Sequence, residues 1–535
     1  MLTMRNFKLL IISVFIITVF FVPAKAYPAQ DGQRNNNSFI KKELKLKGFS
    51  QKEISISHHV IMIDEKPLKF TAITGYMPIR DEKEKVKAKI FFISYIKDGV
   101  KDPANRPVTF AFNGGPGSSS IWLHFGALGP KRVKLTDKGE LPPPPYKFID
   151  NDYTWLAFTD LVFIDPVDTG YSRAADKKDL KEYFGVMEDV KSVGEFIRLY
   201  VSIFKRWRSP KYIAGESYGA IRAAGLADYL QGRMGMHLNG IIMVSQALNY
   251  SAFITGSGGS DIAYALHLPS FASTAFYHHR LPPELQKDLK TTLTEVENWA
   301  INEYLPIMAK GNSLPQNERE KAAERIARYT GLSKSFVLNS NLRVKPHRFR
   351  KELLKGEKRI LGYYDGRLKG VDPVPEDTFW PEHDPTFFLG GPFSTAVNDY
   401  IRNSLKFVND LPYNLFSGKA GRSWNYKSGI SPQVGSLDES KRLSRAMNNN
   451  SYLKVFVACG YYDLCTPYFS SIYTVNQLKI DTTRIKNIKF GYYNGGHMFY
   501  TNVDALVKFR KDMNRFYRES SNVIEKDLQY EKDRK

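Results

Sequence analysis

The chain has 535 residues, a length that suits one large α/β domain carrying insertions, and a formal charge of +22. A hydrophobic share of 42% and an aromatic share of 13% are ample for a packed core, which excludes a predominantly disordered chain. The basic balance does not imply a nucleic-acid partner, because bases and acids interleave, as in Lys351-Glu352-Leu353-Leu354-Lys355-Gly356-Glu357, and no nucleic-acid module is present.

In chain order, residues 1–26 read as a cleavable signal. Arg5 and Lys8 precede the apolar run 9–22, and Pro23-Ala24-Lys25-Ala26 ends it with an Ala-x-Ala step. The run is short for a bilayer span. The expectation is an exported protein, periplasmic or secreted, with no stable membrane insertion after cleavage. Residues 27–105 read as a polar leader followed by antiparallel strands at 54–56, 60–63, 70–76 and 89–95, where apolar and polar residues alternate. From residue 108 the runs become short and apolar throughout, each closed by turn residues: 108–112, 161–164, 212–214, 240–244, 453–458 and 489–493. Runs apolar on both faces suit a parallel sheet covered by helices. Val190, Val193, Phe196, Ile197 and Tyr200 recur at helical spacing and predict a crossover helix over 188–207.

The organisation that follows is an α/β core in two parts, 106–250 and 451–518, interrupted by a helical cap or insertion over 251–450. Helical periodicity marks 283–309, 317–329 and 394–405 within the insertion and 501–517 at the close of the core. Residues 519–535 form a polar tail.

The chemistry centres on Gly215-Glu216-Ser217-Tyr218-Gly219, which follows the strand 212–214 and precedes a helix-compatible run over 220–230. A Gly-x-Ser-x-Gly turn from strand to helix presents the serine hydroxyl as a nucleophile and calls for an acid and then a histidine downstream. Asp463 follows the strand 453–458, and His497 follows the strand 489–493 within Gly495-Gly496-His497. In this arrangement His497 takes the Ser217 proton and Asp463 fixes the imidazole tautomer. The oxyanion requires preorganised N–H donors, from Tyr218 and from a glycine of Asn113-Gly114-Gly115. No cofactor is called for, and His58-His59 and His278-His279 lack the acidic or thiol partners of a metal site.

Four motifs in order, FNGGPGSSSIWLHFGALGP (112–130), GESYG, GYYDLCTP and NGGHM, resemble the serine carboxypeptidase family, peptidase family S10. RPVTFAFNGGPGSSS, DLVFIDPVDTGYS and NDYIRNSL are similar to its bacterial exported branch, and the resemblance runs over about residues 54 to 517. It implies an α/β-hydrolase fold, with a mostly parallel sheet, antiparallel N-terminal strands and a helical cap. The activity it implies is removal of residues from peptide or protein C-termini. It also implies roles: Asn113, Glu216 and the Gly114 N–H hold the substrate's terminal carboxylate, and the Gly115 N–H joins that of Tyr218 in the oxyanion hole. A protonated Glu216 donates to a carboxylate whereas an ionised one repels it, so low pH is favoured. Two departures stand out. A second glutamate expected just before Leu-Gly-Pro is Ala127 here, and a disulfide expected at Ser118 is impossible with Cys459 and Cys465 alone, whose own pairing stays open. An esterase or acyltransferase using the same triad is the alternative reading, and a silent binding protein is a third. Trp122 and His124 read as packing residues, and Asp165 and Tyr171 as residues that shape a loop.

Overall fold

The N-terminal alternation becomes three long antiparallel strands, β1 (Ile54–Ile63), β2 (Lys66–Arg80) and β3 (Val86–Lys97), in a computed structural model that describes residues 53–256, 261–376, 384–429 and 437–521. The expected signal, the polar leader and residues 522–535 of the tail lie outside the described residues. The segments read as separate strands at 54–56 and 60–63 form one, because Ser57, His58 and His59 continue the pairing opposite Ala72, Thr71 and Phe70. Polar residues are tolerated there because β1 is an edge strand.

The apolar runs become β4 (Val108–Phe112), β5 (Asp160–Ile164), β6 (Lys211–Glu216), β7 (Gly240–Val244), β8 (Lys454–Gly460) and β9 (Ile488–Tyr493). The sheet order is β1-β2-β3-β5-β4-β6-β7-β8-β9, with Arg173–Ala174 as a short extra strand beside β3. The β3–β5 pair is antiparallel, and from β5 to β9 every pair is parallel. Strands β4, β5 and β7 are buried along their whole length, which accounts for their unbroken apolar character. Parallel strands align their carboxyl ends on one edge of the sheet, where α/β folds place their sites.

Helix α1 (Val186–Ile203) and helix α2 (Tyr218–Met234) follow β5 and β6. Helix α1 stops short of residue 207. Beyond it, Arg206 turns inward, where its Nη1 donates to Asp160 Oδ2 at 2.5 Å while Arg106 Nε donates to Oδ1 at 2.6 Å. Burial alone would raise the Asp160 pKa, but the two guanidinium groups outweigh it and hold it low. This charged cluster sits at the amino ends of β4 and β5, the edge opposite Ser217.

Between β7 and β8 lie α3 (Ile262–Tyr277), α4 (Leu289–Trp299), α5 (Gln316–Thr330), α6 (Gly390–Asp399) and α7 (Ser440–Asn449). Helix α3 has no counterpart in the sequence reading. It is buried on nearly every side and contains Pro269, so it lacks the one-sided pattern by which a surface helix is recognised. Inside the insertion, Arg359–Leu361 and Lys369–Val371 form a two-stranded hairpin. Helix α8 (Val503–Ser520) packs Phe509, Met513, Phe516 and Tyr517 into the core and runs two residues into the segment read as tail. Among the described residues no helix is long and apolar enough to cross a membrane.

Candidate active site

Ser217 sits between β6 and α2 with φ 59° and ψ −124°, a backbone conformation that costs a non-glycine residue strain. Its amide donates to Val244 O at 2.9 Å, which ties the turn to β7. The flanking glycines are required by close approach: a Cβ on Gly215 would lie 2.2 Å from Gly219 O, and one on Gly219 would lie 3.0 Å from Phe112 O. Ser217 is partly exposed, and its hydroxyl makes no hydrogen bond among the described residues.

Asp463 and His497 come from the loops after β8 and β9. The His497 Nδ1–H donates to Asp463 Oδ2 at 2.8 Å, and the Thr466 hydroxyl donates to the same oxygen at 2.7 Å. The amides of Cys465 and Thr466 donate to Oδ1 at 2.8 and 2.9 Å. A neutral ring that donates from Nδ1 to Asp463 leaves Nε2 unprotonated and able to accept. Burial pulls the His497 pKa down, but the charge and hydrogen bond of Asp463, with Glu216, outweigh burial and raise it.

The loop after β4 lies against the serine turn. A Cβ on Gly114 would come within 2.4 Å of Tyr218 N, and Gly115 has φ +103°. The amides of Gly114, Gly115 and Tyr218 donate to no acceptor among the described residues. Gly114 and Tyr218 are buried, and buried N–H groups without partners are costly and uncommon away from sites that use them. The loop is held from below by Arg222, which is buried on α2. Its Nη1 donates to Asn113 O at 2.7 Å, its Nε donates to Asp189 Oδ2 at 2.7 Å, and its guanidinium lies 4.9 Å from the Phe112 ring. Sequence reasoning missed Arg222, although a single arginine in Gly-Ala-Ile-Arg-Ala-Ala-Gly-Leu-Ala is a signal of a paired buried charge.

Glu216 is 4% exposed, and burial pushes its pKa up to about 7 despite hydrogen bonds from Tyr500 and Asn113 and the nearby His497. The Tyr500 hydroxyl donates to Glu216 Oε2 at 2.6 Å. Leu123 N–H donates to Asn113 Oδ1 at 3.0 Å, which leaves the Asn113 Nδ2 group to face Glu216 and Tyr500. Neither Tyr500 nor Thr466 carried a sequence signal stronger than its spacing from His497 or Asp463.

The insertion reaches the histidine directly. His497 N donates to Tyr364 O at 2.5 Å, Gly496 N donates to Asp365 Oδ2 at 3.1 Å, and Arg367 pairs with Asp365 at 2.7 Å while donating to Asn494 O at 2.9 Å. The Tyr364 ring lies 5.0 Å from that of His497. A Cβ on Gly496 would lie 2.1 Å from Tyr364 O, so the second glycine before His497 is needed for this seam.

His124 is a buried core histidine, stacked on Phe163 at 4.1 Å and bonded to Tyr95, and burial lowers its pKa to about 3. Trp122 packs on Phe393 and Phe416. Asp165 ties loops together by accepting from Ser120 N and Tyr413 Oη, each at 2.8 Å, while Tyr171 packs its ring 5.0 Å from that of Tyr413. Cys459 and Cys465 are both free. Among the described residues no cluster of metal-ligating side chains occurs.

The family described as serine carboxypeptidase, peptidase S10, matches residues 63–357, more than half of the chain. The chain is 28% identical over 257 residues to Carboxypeptidase Y of Schizosaccharomyces pombe, covering 45% of this chain and 23% of that protein. It is also 28% identical over 183 residues to Serine carboxypeptidase-like 13 of Arabidopsis thaliana, covering 34% of this chain and 40% of that protein. The chain thus spans less than half the length of the curated relatives it matches. In fold it is similar to the crystal structure of Kex1(delta)p, a prohormone-processing carboxypeptidase from Saccharomyces cerevisiae, with TM-score 0.53, 19% identity, and coverage of 84% of this chain and 92% of the other.

Proposed function

The chain belongs to the serine carboxypeptidase family, and on that premise we propose that it is an exported serine-type carboxypeptidase acting on peptide or protein C-termini. In this reading the Ser217 Oγ bonds to the carbonyl carbon of the last peptide bond as its proton passes to His497 Nε2. The carbonyl electron pair moves onto oxygen, held by the N–H groups of Gly115 and Tyr218. Collapse expels the C-terminal residue as its amine, which takes the proton from His497. Water then attacks the acyl-enzyme by the same route and frees Ser217. Residues 1–26 serve as the export signal, so N-terminal sequencing of the exported protein reads from Tyr27; retention of residues 1–26 in that protein refutes this step.

The observation that carries the reading is the buried Glu216 beside the Asn113 amide and the unused Gly114 N–H. Together these make a donor set for one carboxylate, provided that Glu216 is protonated. With its pKa raised to about 7, Glu216 is neutral in acid and ionises as pH rises through that value. Affinity for a free chain end is therefore present at low pH and lost above about 7. The same direction holds for folding: protonated burial is tolerated, and stability declines as pH rises from the ordinary glutamate range through about 7.

The test compares an N-blocked dipeptide with its C-terminal amide across about pH 4 to 8. The expected result is a lower KM for the free acid, with the advantage shrinking as pH rises. Equal handling of acid and amide at every pH refutes the carboxylate clamp.

A further inference from the structure

The Tyr500 phenol is buried, 1% exposed, in the turn three residues after His497, and its only described hydrogen-bond acceptor is Glu216 Oε2 at 2.6 Å. Room for its ring comes from Gly126, in the helical turn that follows the loop after β4. A Cβ on Gly126 would lie 2.4 Å from the Tyr500 ring, so any larger residue there displaces the phenol from Glu216. Tyr500 is thus built into the wall of the same compartment as Glu216 and is not a surface side chain that happens to reach it.

We propose that Tyr500 is a positioning residue for chain-end recognition: its hydroxyl donates to Glu216 Oε2, so the proton that Glu216 gains in acid is carried on Oε1 and offered to the substrate carboxylate. The inference rests on the reading of Glu216 as the group that meets the terminal carboxylate. A phenol buried against a carboxyl keeps its proton across the working range, since burial and the Glu216 charge both raise its pKa. It therefore never competes for the titrating proton. Its donation does stabilise the ionised form of Glu216, so Tyr500 lowers the pH at which chain-end recognition fails.

The other groups facing Glu216 are His497 after β9, Asp463 after β8, Tyr364 from the insertion and the uncharged Asn113 amide after β4. A His497 cation pushes Glu216 down and the Asp463 charge pushes it up. The readout must separate these from Tyr500.

The experiment measures the ratio of kcat/KM for the free-acid dipeptide to that for its amide as a function of pH, because effects on the shared chemistry of Ser217 and His497 cancel in the ratio. In the native protein the ratio falls with a single midpoint. In Tyr500→Phe, which keeps the ring, the midpoint moves up by roughly one pH unit, the effect of removing one hydrogen bond to a charged group. Replacing Tyr500 by 3-fluorotyrosine, a more acidic and stronger donor that preserves the packing, moves it down; this arm stands even where the phenylalanine variant folds poorly. An unchanged midpoint in both variants overturns the role of Tyr500 while leaving Glu216 as the reader of chain ends. A ratio near one at all pH in the native protein overturns both. In the Glu216→Gln background the ratio is expected to be flat with pH. A Tyr500→Phe shift that persists there belongs to another group and refutes the proposal.

Discussion

Both carboxylate oxygens of Asp463 are occupied by fixed donors before any substrate binds, two amides on Oδ1 and the Thr466 hydroxyl with the His497 ring on Oδ2. Such an acceptor can hold an imidazole in one tautomer and stabilise it as a cation. Asp463→Asn keeps the shape but places an amide where only an acceptor fits, which favours the tautomer with the proton on Nε2. The expected outcome is a loss of about 10⁴ in kcat with the fold intact, measured at neutral pH beside a circular dichroism spectrum. A loss of less than about tenfold would show that Asp463 does not orient His497. The strand-end placement of Ser217, Asp463 and His497 was readable because each follows an apolar strand run and stands at a glycine-bearing turn. Arg222 and Tyr500 were not, because their partners are set by contacts between segments far apart in sequence, 109 residues in the case of Arg222 and Asn113.

The turn of the hairpin in the insertion, residues 362–368, is bonded to the histidine loop rather than laid over it. Gly362 N donates to Leu368 O at 2.9 Å within the turn, and Gly366 N donates to Tyr462 O at 2.9 Å across to the loop that carries Asp463. Asp365 joins the turn to Gly496, and Arg367 joins it to Asn494. A segment that reads from sequence as part of a cap thus helps to set the ring of His497. Asp365→Ala removes the acceptor for Gly496 N–H and the partner of Arg367. Kcat is expected to fall by roughly tenfold to a hundredfold, since small misplacements of a reacting group are costly. Asp365→Asn, which still accepts from Gly496, should recover part of that loss. Equal activity of the alanine variant and the native protein would show the seam to be merely structural.

At the scale of the whole molecule, no disulfide joins the two cysteines, so packing has to hold the core together. Burial pushes the Cys459 thiol up to about 12 and that of Cys465 well above its ordinary value, so neither is a ready nucleophile at neutral pH. The unfolding midpoint is expected to be the same with and without a reducing agent, a comparison made by thermal melting; a clear drop on reduction would mean that a disulfide forms. Asp160 is the sharper probe. Asp160→Asn leaves Arg106 and Arg206 buried without their counter-charge, a change expected to cost about 3 to 5 kcal/mol in denaturant unfolding. The cluster lies at the amino edge of the sheet and Ser217 at the carboxyl edge, so kcat per folded molecule should hold.

The alternation of β1 to β3 and the apolar runs of β4 to β9 announced an α/β sheet with antiparallel N-terminal strands because strand burial is written locally, two faces at a time. The same locality made the serine turn and the Gly-Gly-His loop visible. Helix α3 escaped because burial on all sides erases the periodicity that marks a helix. The seam from Asp365 to Gly496, the Arg222 support beneath Asn113 and the Tyr500 bond to Glu216 join segments that no local pattern connects. They exist because folding brings the carboxyl ends of β4, β6, β8 and β9 to one edge and excludes water there, and burial then raises the pKa of Glu216.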